Sequence, residues 1–177
     1  MTLLAISCSK VTPVERFLKQ TIIKYFFAGI CSNKLKYMKI GRIQLHNCKT
    51  GRYLTCSGLN RDELDQLFKT LNAQDSIKDI SIDSSDLSTI SADILANSLS
   101  KMRFLKLSST NLTSRQLSTL FKLLKDSTEL EEITLTRNNM SHVSAEDLAK
   151  SLSRLKSAKL EYSYLTKDQC MQILTMG

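Results

Sequence analysis

From Met102 to Leu112 the chain reads M-R-F-L-K-L-S-S-T-N-L, with apolar residues at steps one, four and six, a small polar residue at step nine and an apolar residue at step eleven. Ile77, Ile80, Ile82, Ser85 and Leu87 repeat the pattern, as do Leu130, Ile133, Leu135, Asn138 and Met140, and again Leu155, Ala158, Leu160, Ser163 and Leu165. A degenerate copy precedes them, with Leu54, Ser57 and Leu59 in place. Alternation through the middle of each copy predicts a short strand with its apolar side chains on one face, since successive strand side chains point to opposite faces. The spacing then becomes helical: Leu95 and Leu99, or Leu117, Leu120 and Leu124, predict a helix lying back against the sheet. Ser88, Thr113, Ser141 and Thr166 stand where the helix cap is expected, their hydroxyls able to accept a bond from an otherwise unpaired amide.

The period is clearest over two copies at once. Leu59, Leu64, Leu67, Phe68, Lys69 and Leu71 return 53 residues later as Leu112, Leu117, Leu120, Phe121, Lys122 and Leu124. Ser91, Ala92, Leu95, Ala96, Ser98 and Leu99 return as Ser144, Ala145, Leu148, Ala149, Ser151 and Leu152. Units of about 28 and 25 residues therefore alternate, which predicts two helix lengths and an α/β solenoid whose units bury a continuous core by stacking.

Upstream of the periodic region the organisation changes. Phe17, Leu18, Ile22, Tyr25, Phe26 and Ile30 predict an amphipathic helix within Val14 to Ser32, with Lys19 and Lys24 on its wetter side. Ile40, Ile43 and Leu45 alternate in part without completing a repeat. The expected division is thus an N-terminal helical segment over 1–33, an irregular basic first unit over 34–52, and about five repeats over 53–177. Cys170, Ile173 and Leu174 occupy the core positions of the last helix with no polar closing repeat after them, so both ends are expected to continue or to be covered.

Composition changes this picture in three places. A hydrophobic fraction of 42% over 177 residues is enough for a continuous core, and a single proline leaves the helices uninterrupted. The net charge of +8 is lopsided: up to Tyr53, ten Lys and Arg stand against Glu15 alone, leaving fifteen against sixteen acids elsewhere. Lys34, Lys36, Lys39, Arg42, Lys49 and Arg52 carry most of it, either as a solvated face or as a patch for nucleic acid or an anionic membrane. Five irregularly spaced cysteines without a C-x-x-C, and only two histidines, suggest reduced thiols in a cytosolic protein and no metal site. No apolar run is long enough for a signal peptide or a membrane span. The acceptor-like triplets at Asn111 and Asn139 are then accidental. No nucleophile, acid–base pair or cofactor motif stands out, so no catalytic residue and no cofactor is expected.

The repeats from Tyr53 to Gly177 resemble the ribonuclease-inhibitor-like class of leucine-rich repeats. The stretch F-L-K-Q-T-I-I-K-Y-F-F-A-G-I at Phe17 to Ile30 resembles the helix that closes the helical region after the NACHT ATPase module of NOD-like receptors. The first resemblance implies a horseshoe with parallel concave strands and convex helices. The second implies a non-catalytic, cytoplasmic part in innate immune sensing or autoinhibition, with a protein partner such as the receptor's own NACHT module. No G-x-x-x-x-G-K-[ST] loop is present, so only the C-terminal sensing part or a truncated relative is implied. The binding residues expected on the concave face are the outward strand positions Tyr53, Ser81, Asp83, Phe104, Lys106, Glu132, Thr134, Lys159, Glu161 and Tyr162, flanked by Thr55, Ser108 and Thr136. Phe104, Tyr162 and Tyr164 are the expected anchors if they do not pack locally, because exposed aromatics favour binding.

Overall fold

Within the described residues of the periodic region, each alternating stretch forms a strand and each helically spaced stretch a helix. The computed structural model describes residues 37–40, 42–48, 51–73 and 75–176. In chain order these form β1 (Tyr37–Ile40), β2 (Ile43–Cys48), β3 (Gly51–Ser57), α1 (Arg61–Ala73), β4 (Ile77–Asp83), α2 (Ala92–Leu99), β5 (Phe104–Ser108), α3 (Ser114–Leu124), β6 (Glu132–Thr136), α4 (Ala145–Leu152), β7 (Ser157–Glu161) and α5 (Lys167–Met176), with a 3-10 turn at Leu87–Thr89 before α2. All seven strands lie in one sheet in sequence order. The pairs β1–β2 and β2–β3 are antiparallel, and every pair from β3 to β7 is parallel. Parallel neighbours need a crossover, and each described crossover here is a single helix.

The register aligns the repeats. Leu54, Ile80, Leu105, Ile133 and Ala158 form one row across the sheet, and Cys56, Ile82, Leu107, Leu135 and Leu160 form a second. From Leu54 to Leu135 both rows are buried and pack against Leu67, Phe68, Leu120 and Phe121 of the helices. The first copy departs from the expected alignment by two residues. Leu54 pairs with Ile80 and therefore sits at step four, with Cys56 at step six, whereas the sequence placed Leu54 at step six and Ser57 at step nine. The cause is a shorter turn: Asn60 already caps α1, accepting from Glu63 N at 3.0 Å while Asn60 N donates back to Glu63 Oε2 at 2.9 Å. The helix thus keeps the 53-residue offset and the strand does not.

The turn after each strand explains the polar residue at step nine. Ser85, Thr110, Asn138 and Ser163 are all buried, and each is hydrogen-bonded. Asn138 Nδ2 donates to Leu107 O at 3.1 Å, Ser163 Oγ donates to Leu135 O at 3.0 Å, and Thr110 Oγ1 donates to Asn138 Oδ1 at 3.0 Å. Buried turn carbonyls would otherwise lack partners. One residue earlier the backbone is left-handed in every unit, at Gly58, Ser84, Ser109, Arg137 and Tyr162. Only the first is glycine. The first four donate their N–H to the last strand residue of the following unit, Asp83, Ser108, Thr136 and Glu161, at 2.9 to 3.0 Å. Those bonds offset the steric cost that a Cβ incurs at positive φ.

Two kinds of unit alternate, as the 53-residue offset predicts. In the short-helix units Asp86 and Asn139 accept from Ser88 N and Ser141 N, making an extra turn, and the caps are Ser91 and Ser144. Ser88 and Ser141 are therefore turn residues and not the expected caps, because that turn delays the helix by three residues. In the long-helix units Thr113 and Thr166 cap as expected, and Asn111 and Tyr164 adopt positive φ. Gln116 and Gln169, each at the third helical position, then join the two kinds. Gln116 Nε2 donates to Leu87 O and Ile90 O at 2.7 and 2.6 Å, and Gln169 Nε2 donates to Met140 O and Val143 O at 2.8 and 2.7 Å. Correspondingly, α2 packs closely on α3 and α4 on α5, while α1–α2 and α3–α4 are looser.

The two ends of the periodic region differ from expectation. Instead of one irregular strand, the described part of 34–52 is an antiparallel β1–β2 pair laid on β3, with Ile43 and Leu45 buried in the core. In α5, Cys170 and Leu174 are exposed and Ile173 is half-buried, although the sequence put all three in the core. Their counterparts Leu117, Phe121 and Leu120 are buried because a further unit packs beside α3, and none does so beside α5 among the described residues. The helix expected within Val14 to Ser32 lies outside the described residues. No described helix is long and apolar enough to cross a membrane.

Candidate functional site

Because the apolar rows face the helices, the alternate strand residues form three rows on the opposite, open face. They are Tyr53, Asp79, Phe104, Glu132 and Ser157; Thr55, Ser81, Lys106, Thr134 and Lys159; and Ser57, Asp83, Ser108, Thr136 and Glu161. Nine of the ten expected binding residues stand on these rows. Tyr162 does not. It follows β7 in the left-handed turn, 71% exposed, and Tyr164 lies in the same turn. Ser81 is on the face but buried at its centre, leaving little of its surface for a ligand.

The first of these rows lies toward the N-terminal ends of the strands and edges a depression. Tyr53, Asp79, Arg103, Phe104, Glu131 and Glu132 line an open depression of about 340 Å³. Tyr53 on β3 and Phe104 on β5 reach toward each other across β4, their ring centroids 5.8 Å apart at 68°, an edge-to-face contact. His46 on β2 continues the line with a tilted contact to Tyr53 at 6.4 Å. Asp79 lies in the row between the two rings and is buried. A buried carboxylate must be paired. Arg103 supplies the pair, donating from Nε to Asp79 Oδ1 at 3.0 Å and from Nη2 to Oδ2. This two-pronged bond pushes the pKa of Arg103 further up.

Backbone bonds hold the surrounding groups in place. Arg103 N donates to Lys78 O, and Glu131 N and Glu132 N both donate to Arg103 O. Glu131 accepts from Lys156 Nζ at 2.7 Å, and that bond holds its carboxyl below the usual glutamate range. Glu132 is exposed and makes no ion pair among the described residues. Two further pairs, Lys78–Glu129 at 3.6 Å and Lys159–Glu161 at 3.1 Å, are solvent-exposed and contribute little on their own. The sequence reading missed Asp79, Arg103 and Glu131. Asp79 was legible, since a residue two before Ser81 must share its face. Arg103 and Glu131 precede their strands, and only the register brings them to the pocket.

Of the basic cluster expected around 34–52, the described side chains are those of Arg42 and Arg52. Lys34, Lys36 and Lys49 lie outside the described residues, and Lys39 is placed only through the backbone of β1. Arg42 is exposed and donates to Gly58 O. Arg52, expected on the patch, is buried at 7% exposure, because the register shift beside Tyr53 sets it opposite Ile77.

Among the described residues no group of three or more His, Cys, Asp and Glu side chains is placed to hold a metal ion. Burial pushes the Cys56 thiol up to about 12, with the Glu63 charge adding to the effect. The thiolate is the reactive form. Iodoacetamide at pH 8.5 is therefore expected to modify exposed Cys170 and to spare Cys56 in the native chain, with both modified in urea; peptide mass mapping reads the difference.

Compared with known proteins, the chain matches no family model and no curated protein.

Proposed function

We propose that this chain is a non-catalytic protein-recognition module built from leucine-rich repeats of the ribonuclease-inhibitor-like kind, its sheet forming the concave side of a short horseshoe. Its setting is the cytoplasmic C-terminal sensing or autoinhibitory region of a NOD-like receptor, or a truncated relative, with a NACHT module as one partner. The observation that carries the recognition reading is a contrast between the two faces of one sheet. The inward rows keep an apolar or thiol residue at every strand, whereas each outward row changes character from strand to strand. Packing alone requires only the inward repetition. A varied, rigidly spaced outer face suits a surface whose chemistry is matched to a partner.

Site-specific photo-crosslinking tests this reading. A benzoylphenylalanine at Thr134, on the open face, is expected to give a discrete protein adduct in cells, and one at Lys122, on the exposed side of α3, to give none. Phe104→Ala and Lys106→Ala are expected to remove the Thr134 adduct while circular dichroism stays unchanged. Equal adducts from both positions, or an adduct indifferent to those substitutions, would count against recognition through the open face.

A further inference from the structure

We infer that the depression bounded by Tyr53, Phe104, Glu131 and Glu132 receives an arginine side chain of the partner. The inference rests on the recognition reading above and adds to it the chemistry of the group recognised.

The charge balance of the pocket sets the sign of the guest. Three carboxylates and one guanidinium line it. Arg103 commits Nε and Nη2 to Asp79 and adds a longer-range attraction to Glu131 and Glu132, one positive charge against the three carboxylates. Lys156 engages Glu131, and Glu132 remains without an ion pair among the described residues. An anionic guest would meet Glu131 and Glu132 directly. A neutral apolar guest would strip water from Glu132 and return no partner to it, which is costly.

The shape of the pocket points to a planar cation. Phe104 and Glu132 are direct neighbours in the β5–β6 register, so their backbones stand one strand spacing apart, about 4.8 Å, and both side chains line the depression. The edge contact with Tyr53 steadies the Phe104 ring. A guanidinium can lie against the ring while presenting two parallel N–H groups to the carboxylate, a geometry that an ammonium cannot match. The depression is near the lower end of ligand-cleft sizes, roughly 300–1,000 Å³, which suits one long side chain with its methylenes.

The test is a titration of the 177-residue chain, followed by NMR through its aromatic ring and backbone amide signals, with acetyl-Ser-Gly-X-Gly-Ser-amide in which X is arginine, citrulline or glutamate. Citrulline keeps the shape of arginine and removes its charge. The arginine peptide is expected to shift the Phe104 and Tyr53 rings saturably, the citrulline peptide to bind about tenfold more weakly, and the glutamate peptide not to bind. Glu132→Gln is expected to weaken the arginine peptide about fivefold, and Lys122→Gln to leave it unchanged. The inference is overturned if citrulline binds as tightly as arginine, if Glu132→Gln has no effect, or if no peptide binds. It is equally overturned if the arginine peptide perturbs the Lys106 and Thr134 region instead, although recognition through the open face would then survive. Conversely, tight arginine binding at Phe104 with no Thr134 adduct in cells would sink the recognition reading and leave the pocket's preference standing.

Discussion

Gln116→Ala is expected to destabilise the chain by about 3 kcal/mol, a large loss for one polar side chain near a helix start. The amide of Gln116 is the donor to both Leu87 O and Ile90 O, and its oxygen accepts from Thr113 N at 2.8 Å. Removing it strands the Ile90 carbonyl, costing about 1–3 kcal/mol, leaves Leu87 O with the Ile90 N–H as its remaining donor, and weakens a cap contributing about 1 kcal/mol. Gln116→Glu separates the two roles. The carboxylate can still serve Thr113 N, but it has no hydrogen to give and would face two carbonyl oxygens. The glutamate variant is therefore expected to lose at least as much as the alanine variant in urea unfolding followed by circular dichroism. A loss below about 1 kcal/mol for both would mean that the two kinds of unit are held together by apolar packing alone.

Phe121→Ala is expected to cost about 3–5 kcal/mol, the range for emptying a buried aromatic site. Phe121 is fully buried and lies within the shared core of strands and helices. Its counterpart one double unit later is Leu174, at 77% exposure. Leu174→Ala should therefore change stability by no more than about 0.5 kcal/mol. The contrast between two positions equivalent in sequence pattern isolates the contribution of the neighbouring unit. Similar losses at both positions would place a packed layer against α5.

Much of this architecture was legible from spacing alone, because a solenoid repeats its local physics. The apolar steps of the three central strands, the core positions of α3 and the alternation of unit types follow directly from residue periodicity. The exceptions have identifiable causes. Leu54 was misaligned because the helix signature at Leu64, Leu67 and Phe68 keeps the two-unit spacing while the turn before it is two residues shorter. Ser88 and Ser141 look like caps in the sequence because a serine in a side-chain-closed turn and a serine at a helix start have the same local composition. Leu174 and Cys170 carry the core pattern, yet burial depends on what packs beside them. Tyr162 was counted as a strand residue because nothing in its identity marks the left-handed turn that glycine marks at Gly58.

The pocket was less legible for a different reason. Tyr53, Phe104 and Glu132 were readable as outward strand residues. The Asp79–Arg103 pair and Glu131 depend on how neighbouring strands align, a property of pairing rather than of any single segment.

Every surface row, and therefore the pocket and the face proposed for recognition, depends on the parallel register of β3 to β7. The direct measurement is the set of interstrand NMR contacts along the middle outward row. The register described here predicts cross-strand backbone contacts linking Thr55 to Ser81, Ser81 to Lys106, Lys106 to Thr134 and Thr134 to Lys159. Contacts of Tyr53 rather than Thr55 with Ser81, as the unshifted repeat pattern would require, or antiparallel contacts between any of these strands, would contradict it.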